Sequence, residues 1–275
     1  MKPGHNVGEE NMFYHYRPEA PGCSIAAADV TLVGGAPVLL PTSQNTYPEY
    51  DRIWSDKTLK MAIVFSRNVP GQMLNDAGGN EFLNFNAKLQ GKFAARSPVV
   101  TSTTLPNPAG RAVQKQQWEL DLDATHHLSI QTYLVDLPQS GGAAFEAELA
   151  QVSATSDFLS YAGHAGLGVN IDAFLSRVRS SPSKYRVLML QNCNSFAYNN
   201  FVLTPAPNTI TGANGNQDVV VNALPSNFSD NTPMLFNWVV GLSQPNAPKP
   251  FLDILPREAS GRPVVLFDDD NHFHP

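Results

Sequence analysis

Two short apolar runs, each ending in a reactive side chain, constrain this chain more than any other feature. Residues 157–166 read Asp-Phe-Leu-Ser-Tyr-Ala-Gly-His-Ala-Gly, and residues 185–195 read Tyr-Arg-Val-Leu-Met-Leu-Gln-Asn-Cys-Asn-Ser. Both are typical of buried strands, and the interval between them predicts one helix with Asn170 as its cap. A strand–helix–strand unit of this size makes its two strands parallel. His164 and Cys193 are therefore expected at the same edge of one sheet.

The pairing of His164 with Cys193 is typical of nucleophilic catalysis. A thiol attacks as its thiolate, a neighbouring imidazole assists its formation, and the resulting imidazolium protonates a departing amine. The turn over 163–166 places the backbone N–H of Ala165, with that of Cys193, where an oxyanion would form. A single His or Cys at a strand end more often has a structural role. The presence of both, at the ends of two strands joined by one helix, favours catalysis.

The rest of the chain predicts an α/β protein with a mostly parallel sheet. Hydrophobic periodicity gives the predicted elements: strands over 60–66, 118–123, 128–137, 219–222 and 263–267, and helices over 82–93, 143–152 and 230–242. The strands over 118–123 and 128–137 are expected to form a hairpin. Residues 98–111, which contain Pro106 and Pro108, are predicted to be a loop.

The predicted domain organisation is an N-terminal extension over residues 1–56 followed by one α/β domain over residues 57–275. The extension is rich in Pro, Gly and Asn, and Val30–Val33 with Val38–Leu40 is its one candidate strand pair. A chain of 275 residues is long enough to bury a substantial core.

Charge and hydropathy narrow the classes of partner. The net charge is −6 and no predicted helix carries a basic stripe, which argues against nucleic-acid binding. No stretch approaches the about 20 apolar residues of a membrane span, and the N-terminus lacks the apolar region of a secretory signal. The sequence therefore predicts a cytoplasmic protein without membrane association. The chain has two cysteines, Cys23 and Cys193, which are too few for a disulfide framework. A single disulfide between them is the alternative to two free thiols.

The order of these features resembles the caspase-like cysteine peptidase superfamily, which includes caspases, legumains, gingipains and separases. The resemblance is carried by an apolar strand ending in Gly-His-Ala-Gly at 163–166, a helix, and a second apolar strand ending in Gln-Asn-Cys-Asn-Ser at 191–195. It extends over residues 60–221, and its specific content is confined to 157–168 and 185–198. Enzymes of the glutamine-amidotransferase type place Cys before His, on an elbow that this sequence lacks.

The resemblance implies a caspase-like three-layer α/β/α sandwich with a central, mostly parallel sheet. It also implies a cysteine endopeptidase that hydrolyses peptide bonds through a thioester intermediate. In that comparison His164 is the general acid/base and Cys193 the nucleophile, while Ala165 and Gly166 form the turn that serves the oxyanion. Ala165 is a departure, because the family usually has Gly directly after the His.

Substrate selection is expected beside Gln191, which sits where caspases carry a Gln in the S1 pocket. A polar strand end facing solvent is the alternative for Gln191. Asn222, after the next strand, is expected to contribute to the same pocket. A neutral amide supplies no counter-charge for Lys or Arg, so a carboxylate such as Asp157 or Asp230 is the alternative source of one. The resemblance implies a peptide or protein substrate as the partner. A regulatory protein partner is an alternative that stays open.

Two other functions stay open at this point. One is a catalytically inactive caspase-like module acting as a protein-interaction domain, which Ala165 favours. The other keeps the dyad but transfers the acyl group to an amine in place of water. No metal site or cofactor is predicted; Ca²⁺ binding by the acidic run over 267–274 is the alternative to a solvated tail.

Overall fold

The computed structural model describes residues 46–70, 76–179, 184–198, 216–223, 225–255, 264–267 and 273. The strands are β1 Thr58–Ser66, β2 Val99–Leu105, β3 Val113–Asp121, β4 His127–Val135, β5 Phe158–Gly163, β6 Arg186–Asn192, β7 Gln217–Asn222 and β8 Val264–Phe267. The α-helices are α1 Tyr50–Ile53, α2 Ala77–Phe93, α3 Gly142–Thr155, α4 Val169–Leu175, α5 Ser195–Tyr198, α6 Asn231–Leu242 and α7 Phe251–Ile254. The candidate strands at 30–40, Cys23 and the acidic residues 268–270 lie outside the described residues.

All of these strands belong to one sheet in the order β2-β3-β4-β1-β5-β6-β7-β8. The five central strands β4, β1, β5, β6 and β7 are parallel to one another. The ladders β2–β3, β3–β4 and β7–β8 are antiparallel and lie toward the two edges. The α/β class with a mostly parallel central sheet is therefore confirmed.

Helices cover both faces of the sheet. Along β1 successive side chains alternate between two cores, with Ile63 in one and Val64 in the other, as the two-residue period of a strand requires. The first core contains α2 and α6, and the second contains α3 and α4. The fully buried strands read as continuous apolar runs because both of their faces are covered.

The core begins before β1. The chain divides by its contacts into residues Met1–Gln44 and a compact unit over Asn45–Pro275. In the second unit Tyr50 and Ile53 of α1 are buried in the core beside α6. The Tyr50 hydroxyl donates a hydrogen bond to the carbonyl oxygen of Gly241 at 3.2 Å. None of the helices in the described part of the chain is long and apolar enough to cross a membrane.

The predicted strand–helix–strand unit is present, because β5 and β6 are adjacent and parallel, with Gly163 opposite Asn192. Its helix differs from the prediction. The helix α4 follows Gly168, whose backbone is left-handed with φ 95°, so Asn170 lies within the first turn and does not cap it. The Asn170 side chain donates instead to the carbonyl oxygen of His164 at 3.0 Å.

The loop predicted over 98–111 is wrong for residues 99–105, which form β2 at one edge of the sheet. Six of its residues are exposed, and only Leu105 at its end is half-buried and packs against the core. An alternating hydrophobic pattern arises only where one face is buried, and β2 therefore shows none. Its β-branched residues, such as Val100 and Thr101, still favour an extended backbone.

The predicted hairpin of β3 and β4 is confirmed, and His127 lies between two carboxylates at its end. His127 Nε2 is 2.7 Å from Glu119 Oε2, and its Nδ1 is 2.9 Å from Asp121 Oδ1. The hydrogen bond with Asp121, and then the one with Glu119, raise the pKa of His127 above its usual value, although partial burial opposes this.

This arrangement predicts a pH-dependent stability. Because the folded-state pKa of His127 is raised, its contribution is fully present below the unfolded pKa of about 6.5 and is lost as pH rises through the folded value. His127 and its two carboxylate partners are partly exposed, so we expect their interaction to contribute less than about 1 kcal/mol to the free energy of unfolding. Urea unfolding of wild type and His127→Gln at acidic and at alkaline pH measures it. Identical pH dependence in the two proteins would contradict the prediction.

Candidate active site

His164 and Cys193 are the first residues after two adjacent parallel strands. Gly163 and Asn192 are the last paired residues of β5 and β6, and neighbouring strands lie about 4.8 Å apart. The Asn192 side chain ties the two strand ends by donating to the Gly163 carbonyl oxygen at 2.9 Å. Both His164 and Cys193 are partly exposed, and Cys193 carries a free thiol. The structure therefore places His164 and Cys193 side by side at the carboxyl ends of β5 and β6, as the sequence predicts.

The backbone at His164 is held from two sides. The Tyr161 hydroxyl donates to the His164 carbonyl oxygen at 2.9 Å, and Asn170 donates to the same oxygen. Gly163 permits this close packing, because a Cβ at that position would lie 1.9 Å from Ser66 Oγ. These contacts fix the direction of the peptide unit that leads into Ala165.

The imidazole of His164 is oriented by Asn68, which sequence reasoning missed. His164 Nε2 lies 2.7 Å from Asn68 Oδ1 and 3.1 Å from the Asn68 carbonyl oxygen. Both partners are acceptors, so we assign the proton to Nε2, which leaves the Nδ1 lone pair as the base. Asn68 is itself held by Asp76, whose Oδ1 accepts from its backbone N–H at 3.0 Å. The one available signal was its position just after the central strand β1.

Replacing Asn68 with alanine is expected to slow alkylation of Cys193 by iodoacetamide about three- to tenfold, the worth of one hydrogen bond that orients the base. The backbone acceptor remains, so the loss is partial. Asn68→Asp keeps an acceptor oxygen at the same place and adds a charge that stabilises the imidazolium, so it is expected to retain at least the wild-type rate. A slow rate in both variants would assign Asn68 a purely structural role.

The segment over residues 225–230 covers this pair. The Cys193 thiol donates to the carbonyl oxygen of Ser226 at 3.2 Å, and the Phe228 ring stands edge-on to the His164 ring with centroids 5.0 Å apart. No hydrogen bond joins His164 to Cys193 within the described residues. Catalytic hydrogen bonds are often formed only once substrate is bound, so displacement of this segment would be a step in any reaction.

Phe228→Ala is expected to speed alkylation of Cys193, by about three- to tenfold, because the ring that packs on His164 is removed. Rates are measured by mass spectrometry of the labelled tryptic peptide. Leu83→Ala, on the exposed face of α2, is the matched control and should leave the rate unchanged. A slower or unchanged rate in Phe228→Ala would show that the ring does not restrict access.

The turn after β5 is built from left-handed residues. Gly166 has φ 60°, and a Cβ there would lie 2.8 Å from the Asn170 side chain, so glycine lets Asn170 reach the His164 carbonyl. Leu167 follows with φ 54°, and Asn194 after the thiol has φ 48°. Strained backbone of this kind clusters at functional sites. Among the described residues, neither the Ala165 nor the Cys193 backbone N–H has a hydrogen-bond acceptor.

Gln191 and Asn222 lie together at the ends of β6 and β7 and are both almost fully buried. Asn222 Nδ2 donates to Gln191 Oε1 at 3.3 Å and to the Asn192 carbonyl oxygen at 3.1 Å. The alternative of a strand end facing solvent is therefore wrong for Gln191. Burial and, to a lesser extent, the nearby Cys193 raise the pKa of Tyr198, which follows in α5.

The two carboxylates considered as a counter-charge lie in different places. Asp157 precedes β5, at the end of the sheet opposite to His164, where Lys60 N–H donates to it at 2.8 Å and Lys184 pairs with it. Burial raises the pKa of Asp157 to about 6. Asp230 lies in the segment over 225–230 and accepts from the Asn227 N–H at 3.0 Å. Asp157 is thus too distant to line the site.

Metal binding has no candidate ligands in the part of the chain that the structure describes, since no group of three or more His, Cys, Asp and Glu side chains is suitably placed there. The acidic run that carries the Ca²⁺ alternative lies outside that part.

No protein-family model matches this chain, and no curated protein matches its sequence. The case for a function therefore depends on the arrangement of His164, Cys193 and their neighbours.

Proposed function

We propose that this chain is a caspase-like cysteine endopeptidase in which Cys193 is the nucleophile and His164 the general acid/base. The observation that carries the proposal is the arrangement at the carboxyl ends of β5 and β6. His164 and Cys193 follow two adjacent parallel strands, and Asn68 holds the imidazole through Nε2. A nucleophile beside a base that a third group orients is the common arrangement of enzymes that form acyl intermediates.

The proposed reaction begins with movement of the segment over 225–230 away from Cys193. His164 Nδ1 takes the thiol proton, and Sγ attacks the carbonyl carbon of the scissile peptide bond. His164 then gives this proton to the departing amine, leaving a thioester on Cys193. A water molecule, deprotonated by His164, attacks the thioester and releases the acid and the thiol.

The developing oxyanion would be held by backbone donors. The N–H groups of Ala165 and Cys193, which have no acceptor in the described part of the chain, support this role, because preorganised donors need no reorganisation during the reaction. Ala165 supplies the same backbone donor that a glycine would. Its φ of −67° lies in the ordinary right-handed region, so the turn does not require glycine at this position.

Gln191 and Asn222 are proposed to form the polar floor of the S1 pocket. Their mutual hydrogen bond joins the ends of β6 and β7 directly before Cys193 and the covering segment. Neither amide carries a charge, so the floor provides hydrogen bonds but no counter-ion for a basic P1 side chain.

Cleavage of a mixture-based fluorogenic peptide library tests the proposal. Wild type is expected to cleave a subset defined by one P1 residue, with and without Ca²⁺ as parallel arms, and Cys193→Ala is expected to cleave nothing. Cys193→Ala must retain the wild-type thermal midpoint to serve as the control. Equal cleavage at every P1 residue would exclude a defined pocket, and equal cleavage by Cys193→Ala would exclude the proposed nucleophile.

A second candidate function is a catalytically inactive module of the same fold that binds a protein partner. The contact of the Cys193 thiol with the Ser226 carbonyl favours it, because the thiol there is occupied and covered. Absence of any cleavage, together with a slow alkylation rate in both wild type and Phe228→Ala, would support this candidate over the enzyme.

A further inference from the structure

Between Pro98 and Pro106, the edge strand β2 has none of the side chains that usually protect a sheet edge. It pairs with β3 on one side and is the outermost strand of the sheet on the other. Native proteins block such edges with lysine, proline, bulges or a covering element. The strand reads Val-Val-Thr-Ser-Thr-Thr-Leu, with no charged residue, proline or glycine. Val99 is 65% exposed and Val100 is 39% exposed, so no described element covers it.

We propose that β2 is a self-association site that pairs antiparallel with the β2 strand of a second copy of this chain. A two-fold axis at Ser102 would place each Ser102 opposite its own copy. Val99 then faces Leu105, and Thr101 faces Thr103. These are an apolar pair and a hydroxyl pair, both of which stabilise antiparallel ladders. The sequence of the strand is thus complementary to itself in this register.

Charge favours a second copy over an unrelated peptide. Two-fold symmetry brings every residue near the axis close to its own copy, so a charge there would repel itself. The net charge of −6 makes two copies repel each other overall, and the uncharged strand adds no repulsion of its own at the contact. The same strand offers no charge or pocket with which to select a different sequence.

The pairing joins the two sheets into one continuous sheet through the edge farthest from β8. His164 and Cys193 follow β5 and β6 in the central part of the sheet, so pairing through β2 does not cover them. The proposal is therefore independent of the catalytic function.

Analytical ultracentrifugation of the full chain over a concentration series tests it. Wild type is expected to show a monomer–dimer equilibrium. Ser102→Lys and Ser102→Glu should each weaken the homodimer at least about fivefold, because like charges then face each other across the interface at the axis. An equimolar mixture of the two variants should restore dimerisation, since lysine faces glutamate. Ser102 is opposite the neutral Gln116 within the chain, so neither variant places like charges together in the monomer.

Leu83→Lys is the matched control on an exposed face of α2 and should leave the dimer intact. A wild type that stays monomeric throughout would overturn the proposal. A dimer that Ser102→Lys does not weaken would also overturn it, because the contact must then use another surface. Failure of the mixed variants to pair would overturn the register centred on Ser102. None of these outcomes depends on peptidase activity.

Discussion

Alkylation of Cys193 by iodoacetamide is expected to fall at least about 100-fold in His164→Ala at neutral pH, because a positioned base contributes about that much or more to proton transfer. The imidazole follows the strand next to that of Cys193, and Asn68 fixes it through Nε2. Peptide cleavage should fall further, by about a thousandfold or more, since the same residue must also protonate the leaving amine. Stopped labelling reactions followed by mass spectrometry of the Cys193 peptide provide the rates.

Cys23 is the internal reference for this experiment, because it is the other cysteine of the chain. Its labelling should not respond to loss of His164. Both proteins unfolded in guanidinium should label Cys193 at the same rate, which shows that any difference arises from the fold. Equal labelling of Cys23 and Cys193 in the folded wild type, unaffected by His164→Ala, would contradict the proposed dyad of His164 and Cys193.

The largest expected effect on stability is at Trp238 of α6. Its side chain is fully buried, with its ring centroid 5.5 Å from that of Phe158 in β5 and 5.9 Å from that of Phe251 in α7. Trp238→Ala is expected to lower the free energy of unfolding by about 3–5 kcal/mol, because a large cavity opens between the helix and the sheet. Urea unfolding followed by circular dichroism measures the change without relying on tryptophan fluorescence.

Trp238→Phe is the informative partner variant. The indole N–H of Trp238 is buried without a hydrogen-bond acceptor. Phenylalanine removes this unsatisfied donor while it keeps an aromatic ring, so its cost should stay below about 2 kcal/mol. An alanine variant no less stable than the phenylalanine variant would show that the aromatic stack contributes nothing.

The central part of the fold could be predicted because burial imposes a local pattern on the sequence. Strand β1 is a continuous apolar run, the β3–β4 hairpin alternates strictly at Trp118 and Leu120, and α2 carries a helical stripe of buried Phe82 and Phe85. The strand β2 could not be predicted for the same reason. Six of its seven residues are exposed, so its sequence has no hydrophobic alternation that would indicate a strand.

The candidate site was only half predictable for a different reason. His164 and Cys193 end apolar runs, which is a local signal. Asn68, Ser226 and Phe228 reach the site from loops after β1 and β7, and no local pattern ties these positions to a partner distant in the sequence. Such contacts follow from the strand order, which a single sequence leaves open.

The position of β1 in the middle of the sheet has a consequence for synthesis of the protein. Of the described strands β1 is made first, but it needs β4 on one side and β5 on the other. The loop after it contains Asn68, which orients His164. Ser226, which covers the thiol, is made later still. A nascent chain therefore carries Cys193 before the segment over 225–230 that covers it has been made, and pairings between such distant segments form slowly. Until then the thiol lacks the cover that Ser226 gives it in the folded protein, and exposure is one of the conditions that favour thiol oxidation.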